Sequence, residues 1–577
     1  MSIFDFLTST RTFEVNHKGV GLLFHEKRRE KKVTAAINIS NRHNGAQPHI
    51  VEWIKQTLEP EFIQAVDFKG REDLQALVPD YGNFEAISHV QNQRAKYIAN
   101  IIADDDDERI FSLEEILVFT FTPDEHVMFE SVTYEAHAKI VEFINTILNN
   151  TIDDVQFPIT SLSILKECYK ICKDREFRPL GERPPVWRLS KPESLGTLLS
   201  NHLGDLSALN LHSSATNYNA ISAFGTGIQS KHFNAELITN TLGRNGRAIV
   251  IRKNGDFSNI AKHLNGQINT VLPNSDSINP FWGVSNPQKF YSLFVQFLVS
   301  LATLSREVAD SEKASLSKAI ESAFKRHGKE TDLTKIVELL QNEDADFASV
   351  YKIYISGDYA NLFNGEPTHD CSNAFTLFNV ANCLSGQSIQ RACISALALK
   401  STVELSNSNS RHNTLFINEA DSLLDDEGLS PLFYELTMTS RPHGISIVSS
   451  LNAVVSIQNN KTINTIFKNS AWTLVGKVNN DDLSIFEKEN TFSDEEFLQM
   501  TRSTLLRHDK YVEVVIRNGR NKGKFKYYID PCSYALFSHL DKYGAMVSNY
   551  ASSLSLPEAI STVASVVRDE NKPFFEK

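Results

Sequence analysis

Gly225-Thr226-Gly227-Ile228-Gln229-Ser230-Lys231-His232 has nearly the residue types and spacing of a loop that holds phosphate. In the pattern G-x-x-x-x-G-K-[S/T], backbone N–H groups and a helix N-terminus cradle the phosphate oxygens. The lysine reaches the β/γ oxygens and the last hydroxyl ligates magnesium. The interval from Gly225 to Lys231 fits, but Ser230 stands where the second glycine belongs and His232 where the hydroxyl belongs. Ser230 places a Cβ where backbone must approach a phosphate closely. His232 takes one oxygen away from the metal. The plainer reading of Lys231 is an exposed lysine opening a helix.

A second stretch, Thr414-Leu415-Phe416-Ile417-Asn418-Glu419-Ala420-Asp421, reads as a buried apolar strand ending in amide and acidic groups. A nucleotide hydrolase needs a carboxylate at such a strand end to hold the magnesium shell, often with a glutamate after it to polarise the attacking water. Asn418 occupies the metal-shell position without a charge, and Glu419 remains. Further on, Ser440-Arg441-Pro442-His443-Gly444 heads another strand, and in a ring of subunits Arg441 could reach a neighbour's phosphates. The expected site is therefore Glu419, Lys231 and Arg441 for chemistry, Gly225 to His232 for nucleotide, and Asn418 at a degraded metal position. Capping of a strand end by Glu419 and a surface ion pair for Arg441 are the competing readings.

These residues need a parallel sheet to present them. The run Thr216–Phe224 reads as a strand, and Phe233, Leu237 and Ile238 lie at helical spacing after the loop. Arg247–Ile251 reads as a strand, Phe257–Leu264 as a helix, Phe375–Val380 as a strand and Ile389–Val403 as a long helix. Alternation of strand and helix implies a parallel sheet with right-handed crossovers. Residues 290–370 interrupt it with an almost wholly helical lobe, as in Ala314–Arg326 and Leu333–Gln341. Residues 1–175 mix alternating strands (Val33–Ile39, Ile116–Phe121) with amphipathic helices (Ile50–Leu58, Tyr134–Leu148) and form an α+β domain. A proline- and charge-rich linker over 176–205 separates it from the ATPase-type domain, 206–577.

With 577 residues and 41% hydrophobic content the chain can bury large cores in two or more domains. A net charge of −12 excludes a general nucleic-acid coat, although an acidic protein can be basic where it matters. Of six cysteines only Cys168 and Cys172 are close, with no second pair for a zinc site, so no structural metal is expected. The acidic run Asp104–Glu108 lacks the glycine and spaced ligands of a calcium loop and reads as solvated. Met1–Asp5 does not read as a signal peptide, and the apolar run Tyr291–Leu304 is too short to span a membrane. A cytoplasmic protein is expected.

The ordered set resembles the TraC-like conjugation ATPases of type IV secretion systems, in the FtsK/HerA branch of RecA-fold motors. The resemblance runs from about Thr216 to Leu536. It rests on Thr216–Asn219, Ser277–Phe281, Gly357–Gly365, Asn418–Ala420, Arg441–Gly444 and Ile529–Pro531, in that order. It implies a RecA-like P-loop NTPase core, ATP with magnesium, and a ring docked through partners on an inner-membrane secretion channel. From the short apolar run, no insertion of the chain itself into the membrane is expected. Residues 1–175 would correspond to the docking region. The departures fall on the chemistry: Ser230, His232, Asn418, and Ser449-Ser450 where the family has Thr-Gln. Losses in a metal shell cost about 10–100-fold each, so Mg-ATP handling is expected to be weak. The first reading is a structural or assembly subunit, as a homo-oligomer or in a mixed ring with an active paralogue. The second is an active ring motor driving pilus biogenesis or DNA or protein transfer, with DNA contact. The third is a binding module acting through the N-terminal domain.

Overall fold

The computed structural model describes residues 11–17, 20–27, 30–38, 62–69, 84–104, 112–121, 189, 196–201, 206–224, 228–253, 257–303, 306–357, 359–384, 386–477, 501, 511–519, 521–538 and 541–571. The backbone divides into two compact units.

The first unit carries five strands, β1 (Arg11–His17), β2 (Val20–Lys27), β3 (Glu30–Asn38), β4 (Phe62–Lys69) and β5 (Ser112–Phe121). They form an antiparallel sheet in the order β1-β2-β3-β5-β4. The strands expected at 33–39 and 116–121 lie within β3 and β5. The helices expected at 50–58 and 134–148 and the cysteines 168 and 172 lie outside the described residues.

The second unit is built on an eleven-stranded sheet. Its strands are β6 (Thr197–Asn201), β7 (Leu206–Leu209), β8 (Ala220–Ala223), β9 (Ala248–Arg252), β10 (Gln267–Thr270), β11 (Phe375–Asn379), β12 (Asn413–Ile417), β13 (Ile445–Leu451), β14 (Trp472–Val475), β15 (Tyr511–Asn518) and β16 (Asn521–Tyr528). The order is β10-β11-β9-β12-β13-β8-β14-β15-β16-β6-β7, and every pairing from β10 to β14 is parallel. The α/β class, the parallel sheet and the inserted lobe are thus as the sequence led one to expect.

Both faces of the parallel part are covered, so its strands carry apolar residues on both sides. Ile249, Ile251, Leu415, Ile417, Ile445 and Ile447 share one core with the Gln387–Ser406 helix. Residues of the other parity meet the helices that come after β8 and β9. The Thr241 and Thr414 hydroxyls lie 2.7 Å apart, Ser222 donates to Asn234 Oδ1 at 2.7 Å, and Phe257 packs edge-on against Phe416. The lobe between β10 and β11 has helices Tyr291–Ala302, Asp310–His327 and Leu333–Glu343, closed on Phe281, Phe294, Phe297 and Phe324. Over its described residues, 291–303, the apolar run is therefore lobe core, with Phe294, Phe297, Leu298 and Leu301 buried.

Leu74–Ile101 groups with this second unit although it precedes residue 175. A buried arginine is one of its ties there. Arg94, in helix Glu85–Asp104, is fully buried; its Nη1 lies 2.8 Å from Glu236 and its Nε 3.2 Å from Asp530, and it donates to the Tyr527 hydroxyl at 3.4 Å. The Gln91 amide donates to the same Glu236. A buried charge is tolerated only when paired and hydrogen-bonded, so this helix is bound to the helix after β8 and to the end of β16.

The Thr216–Asn219 stretch has a structural role at the N-terminal ends of the strands. Buried Asn219 accepts from Ile447 N–H and Ser440 Oγ, both at 3.0 Å, and donates to the Thr437 carbonyl at 2.9 Å. Asn217 Oδ1 accepts from Asn219 N–H and Ala471 N–H at 3.0 Å each. Asn219→Ala orphans several of these groups, each costing about 1–3 kcal/mol. A lower thermal midpoint is the expected result; an unchanged one removes this clamp from the account.

Candidate nucleotide site

Parallel strands offer ligands the crevice beyond their carboxyl ends. β8, β13 and β12 are consecutive neighbours in the sheet, so the segments leaving β8 and β12 emerge at one edge, one strand apart. That places the Ile228–Gly243 helix, with Ser230 and Lys231 half-buried in its first turn, at the same edge as Asn418 and Glu419. Gly225, Thr226 and Gly227, and the side chains of Ile228 and Gln229, lie outside the described residues.

The strand between them closes the geometry. Ser450 pairs in register with Ser222 of β8, and its hydroxyl donates to Asn418 Oδ1 at 3.1 Å while accepting the Glu419 N–H at 3.0 Å. Asn418 and Ser450 share the parity of Phe416 and Ser222, so both side chains project to the face that carries the Ile228–Gly243 helix. Glu419 has φ +55, a left-handed conformation uncommon for a residue with a side chain. It turns the chain sharply out of β12 into the short Ala420–Leu423 helix. Asp421 then accepts from the N–H groups of Asn452 (3.1 Å) and Ala453 (3.0 Å), tying the β12 and β13 exits together. Burial pushes the Asp421 carboxyl above its ordinary value, although those backbone donors oppose it.

Within one chain two expected site residues point away from this edge, Arg441 being the one expected to act on a neighbour's phosphates. His232 is fully buried, with its ring 5.0 Å from Tyr534 and 6.2 Å from Phe537. It serves as packing between the loop helix and Pro531–Phe537. Arg441 is exposed and lies before β13, at the other end of the sheet, with its guanidinium 6.0 Å from the Tyr218 ring centre. The seven residues of β13 put about 20 Å between it and Ser450, beyond the reach of an arginine side chain. Within one chain the structure unites Lys231, Asn418 and Glu419 at one edge and leaves Arg441 apart.

The sequence flags Asp421 and Ser450 but not their roles as ties between strand exits, and it misses Arg252, which is buried at the end of β9, beside β12. A serine, an aspartate after a strand and an arginine in an apolar strand carry no spacing signal of their own.

The donor set suits a phosphate better than a magnesium ion. A helix N-terminus and a lysine suit the first. For the second, the strand end offers an amide whose oxygen already accepts from Ser450. Among the described residues no group of three His, Cys, Asp or Glu side chains could hold a metal, and no helix is long and apolar enough to cross a membrane.

No family description matches the chain, and no curated protein matches its sequence. Among solved structures, the chain is similar to VirB4 of Thermoanaerobacter pseudethanolicus, at 16% identity and TM-score 0.47, over 59% of this chain and 98% of that one. The plasmid coupling protein TrwB in complex with ADP and Mg2+ matches at 15% identity and TM-score 0.36, over 54% of this chain and 86% of that one. The pCW3 conjugation coupling protein TcpA matches at 9% identity and TM-score 0.24, over 91% of this chain and 90% of that one.

Proposed function

We propose that the chain is a TraC-like component of a type IV secretion or conjugation machine that keeps a nucleotide pocket but lacks ordinary turnover. It acts as a structural or assembly subunit in the cytoplasm, docked through partners at the inner membrane, alone or in a mixed ring with an active paralogue. The observation that supports this most is the Ser450–Asn418–Glu419 arrangement: the metal-shell position is neutral, and its oxygen accepts from a serine hydroxyl. Without that charge and without a hydroxyl after Lys231, magnesium has few ligands to stabilise the developing phosphoryl charge.

Titration of the full chain with ATP, with and without magnesium, tests the reading. Binding that changes little with the metal and is lost in Lys231→Ala is expected. Magnesium-dependent hydrolysis at ordinary motor rates, abolished by Lys231→Ala, overturns it.

One observation favours the second reading, an active motor. The left-handed backbone at Glu419 is a costly conformation of the kind found at functional sites. If that reading holds, Glu419→Gln stops turnover and an arginine from a second subunit completes the pocket.

A further inference from the structure

Arg252, the last residue of β9, puts a buried cation at the same edge of the sheet as Lys231, Asn418 and Glu419. The backbone on both sides fixes where it stands. Arg252 pairs with Asn379 of β11, and its carbonyl accepts from Val380 N–H at 2.9 Å. On the other side Asn418 N–H donates to the Ile251 carbonyl at 2.9 Å, which carries the β9–β12 register on to Arg252 and Asn418. Side chains alternate along a strand. Ile249 and Ile251 enter the core shared with the Gln387–Ser406 helix, so Arg252 projects to the opposite face. That is the face of Asn418 and of the Ile228–Gly243 helix.

The residues that flank it in the sheet are both amides. Asn379 Oδ1 accepts from Ala381 N–H and Asn418 Oδ1 from the Ser450 hydroxyl, each at 3.1 Å. A carboxylate in either place would repel a phosphate unless a metal lay between them; an amide lets the anion approach. A guanidinium draws it in. It stays charged at any physiological pH, and its planar fork takes two phosphate oxygens at once. Salt screens a buried pair of this kind far less than an exposed one.

We infer that Arg252 holds the terminal phosphate of a bound nucleotide and makes this pocket select a triphosphate over a diphosphate. The strand order sets the assignment. Counting from the loop helix after β8, the strand exits come in the order β13, β12, β9. The inner phosphates belong to the helix N-terminus, and a lysine at the place of Lys231 reaches the β and γ oxygens. The outermost phosphate then lies towards the β12 exit. Arg252 stands one strand spacing, about 4.8 Å, beyond Asn418, an interval that an arginine side chain covers. In a pocket whose metal position is neutral, its guanidinium supplies positive charge that needs no ion. This rests on the nucleotide reading of the edge, to which it adds the residue that tells ATP from ADP.

The test is calorimetric titration of the full chain with ATP and with ADP, each in EDTA and again with magnesium. The unaltered chain is compared with Arg252→Met and Arg252→Lys after all three pass the same thermal melt. In EDTA the unaltered chain should bind ATP about tenfold or more tighter than ADP, since hydrogen bonds to a charged group are worth about ten- to a hundredfold. Arg252→Met should lose that preference through weaker ATP binding, with ADP binding hardly changed. Arg252→Lys, which keeps the charge and loses the fork, should fall between the two. If Arg252→Met melts too low to titrate, Arg252→Lys decides by the same ratio of ATP to ADP affinity. Equal affinities in the unaltered chain overturn the assignment and leave the nucleotide reading standing. So does a ratio that the substitutions leave unchanged, or a loss shared alike by both nucleotides. Absence of binding by the unaltered chain under every condition removes the nucleotide reading and the role of Arg252 together.

Discussion

Arg94→Ala is expected to destabilise the sheet-bearing unit by about 3–5 kcal/mol, the usual consequence of removing one partner from a buried ion pair. The guanidinium is the shared partner of Glu236 and Asp530, all three side chains being buried to within 1% of full. It also lies 5.0 Å over the Tyr527 ring. Deleting it leaves two buried carboxylates without their shared cation. A triple replacement, Arg94→Met with Glu236→Gln and Asp530→Asn, should recover most of the loss, since uncharged groups need no counter-ion. Asn at 530 can still accept from Cys532 and Ser533 N–H and cap the Pro531–Phe537 helix. Denaturant unfolding followed by tryptophan emission reads both; Trp472 is buried in this sheet. An Arg94→Ala protein as stable as the parent contradicts the pairing.

Asn418→Asp is expected to restore metal dependence. A carboxylate at that position regains the charge of a magnesium shell, and changes in such shells move affinity by about 10–100-fold. Ser450 can donate to an aspartate as it does to Asn418, so the local hydrogen bond survives the change. The ratio of ATP affinities with and without magnesium should therefore rise by about one to two orders of magnitude. A ratio that stays flat while the protein remains folded means that Asn418 is not at the metal position, and the account of a degraded site goes with it.

Much of this fold was legible because the parallel strands are short apolar runs between amphipathic helices. Ala248–Arg252 and Asn413–Ile417 lie within a residue of the expected positions. The neighbourhood of Lys231 and Asn418 came from strand order, which periodicity suggests but register settles. The packing of the His232 ring could not be foreseen, because the aromatic surface that receives it, Tyr534 and Phe537, lies about 300 residues downstream. Arg94 gave no signal, since an arginine on a polar helix normally faces water. Asn217 and Asn219 stood out only as part of a resemblance, and it takes coordinates to explain them as ties between strand entries.

The Tyr527 hydroxyl donates to the His232 carbonyl at 3.4 Å, while Glu236, one turn further along the same helix, holds Arg94. The helix that starts at the phosphate loop is thus fastened at two successive turns to a strand and to another helix. It cannot slide like a piston by itself. Any nucleotide-driven stroke would have to move three elements as a single body, so the pivot belongs elsewhere, at the exits of β12 and β13 that Asp421 laces together.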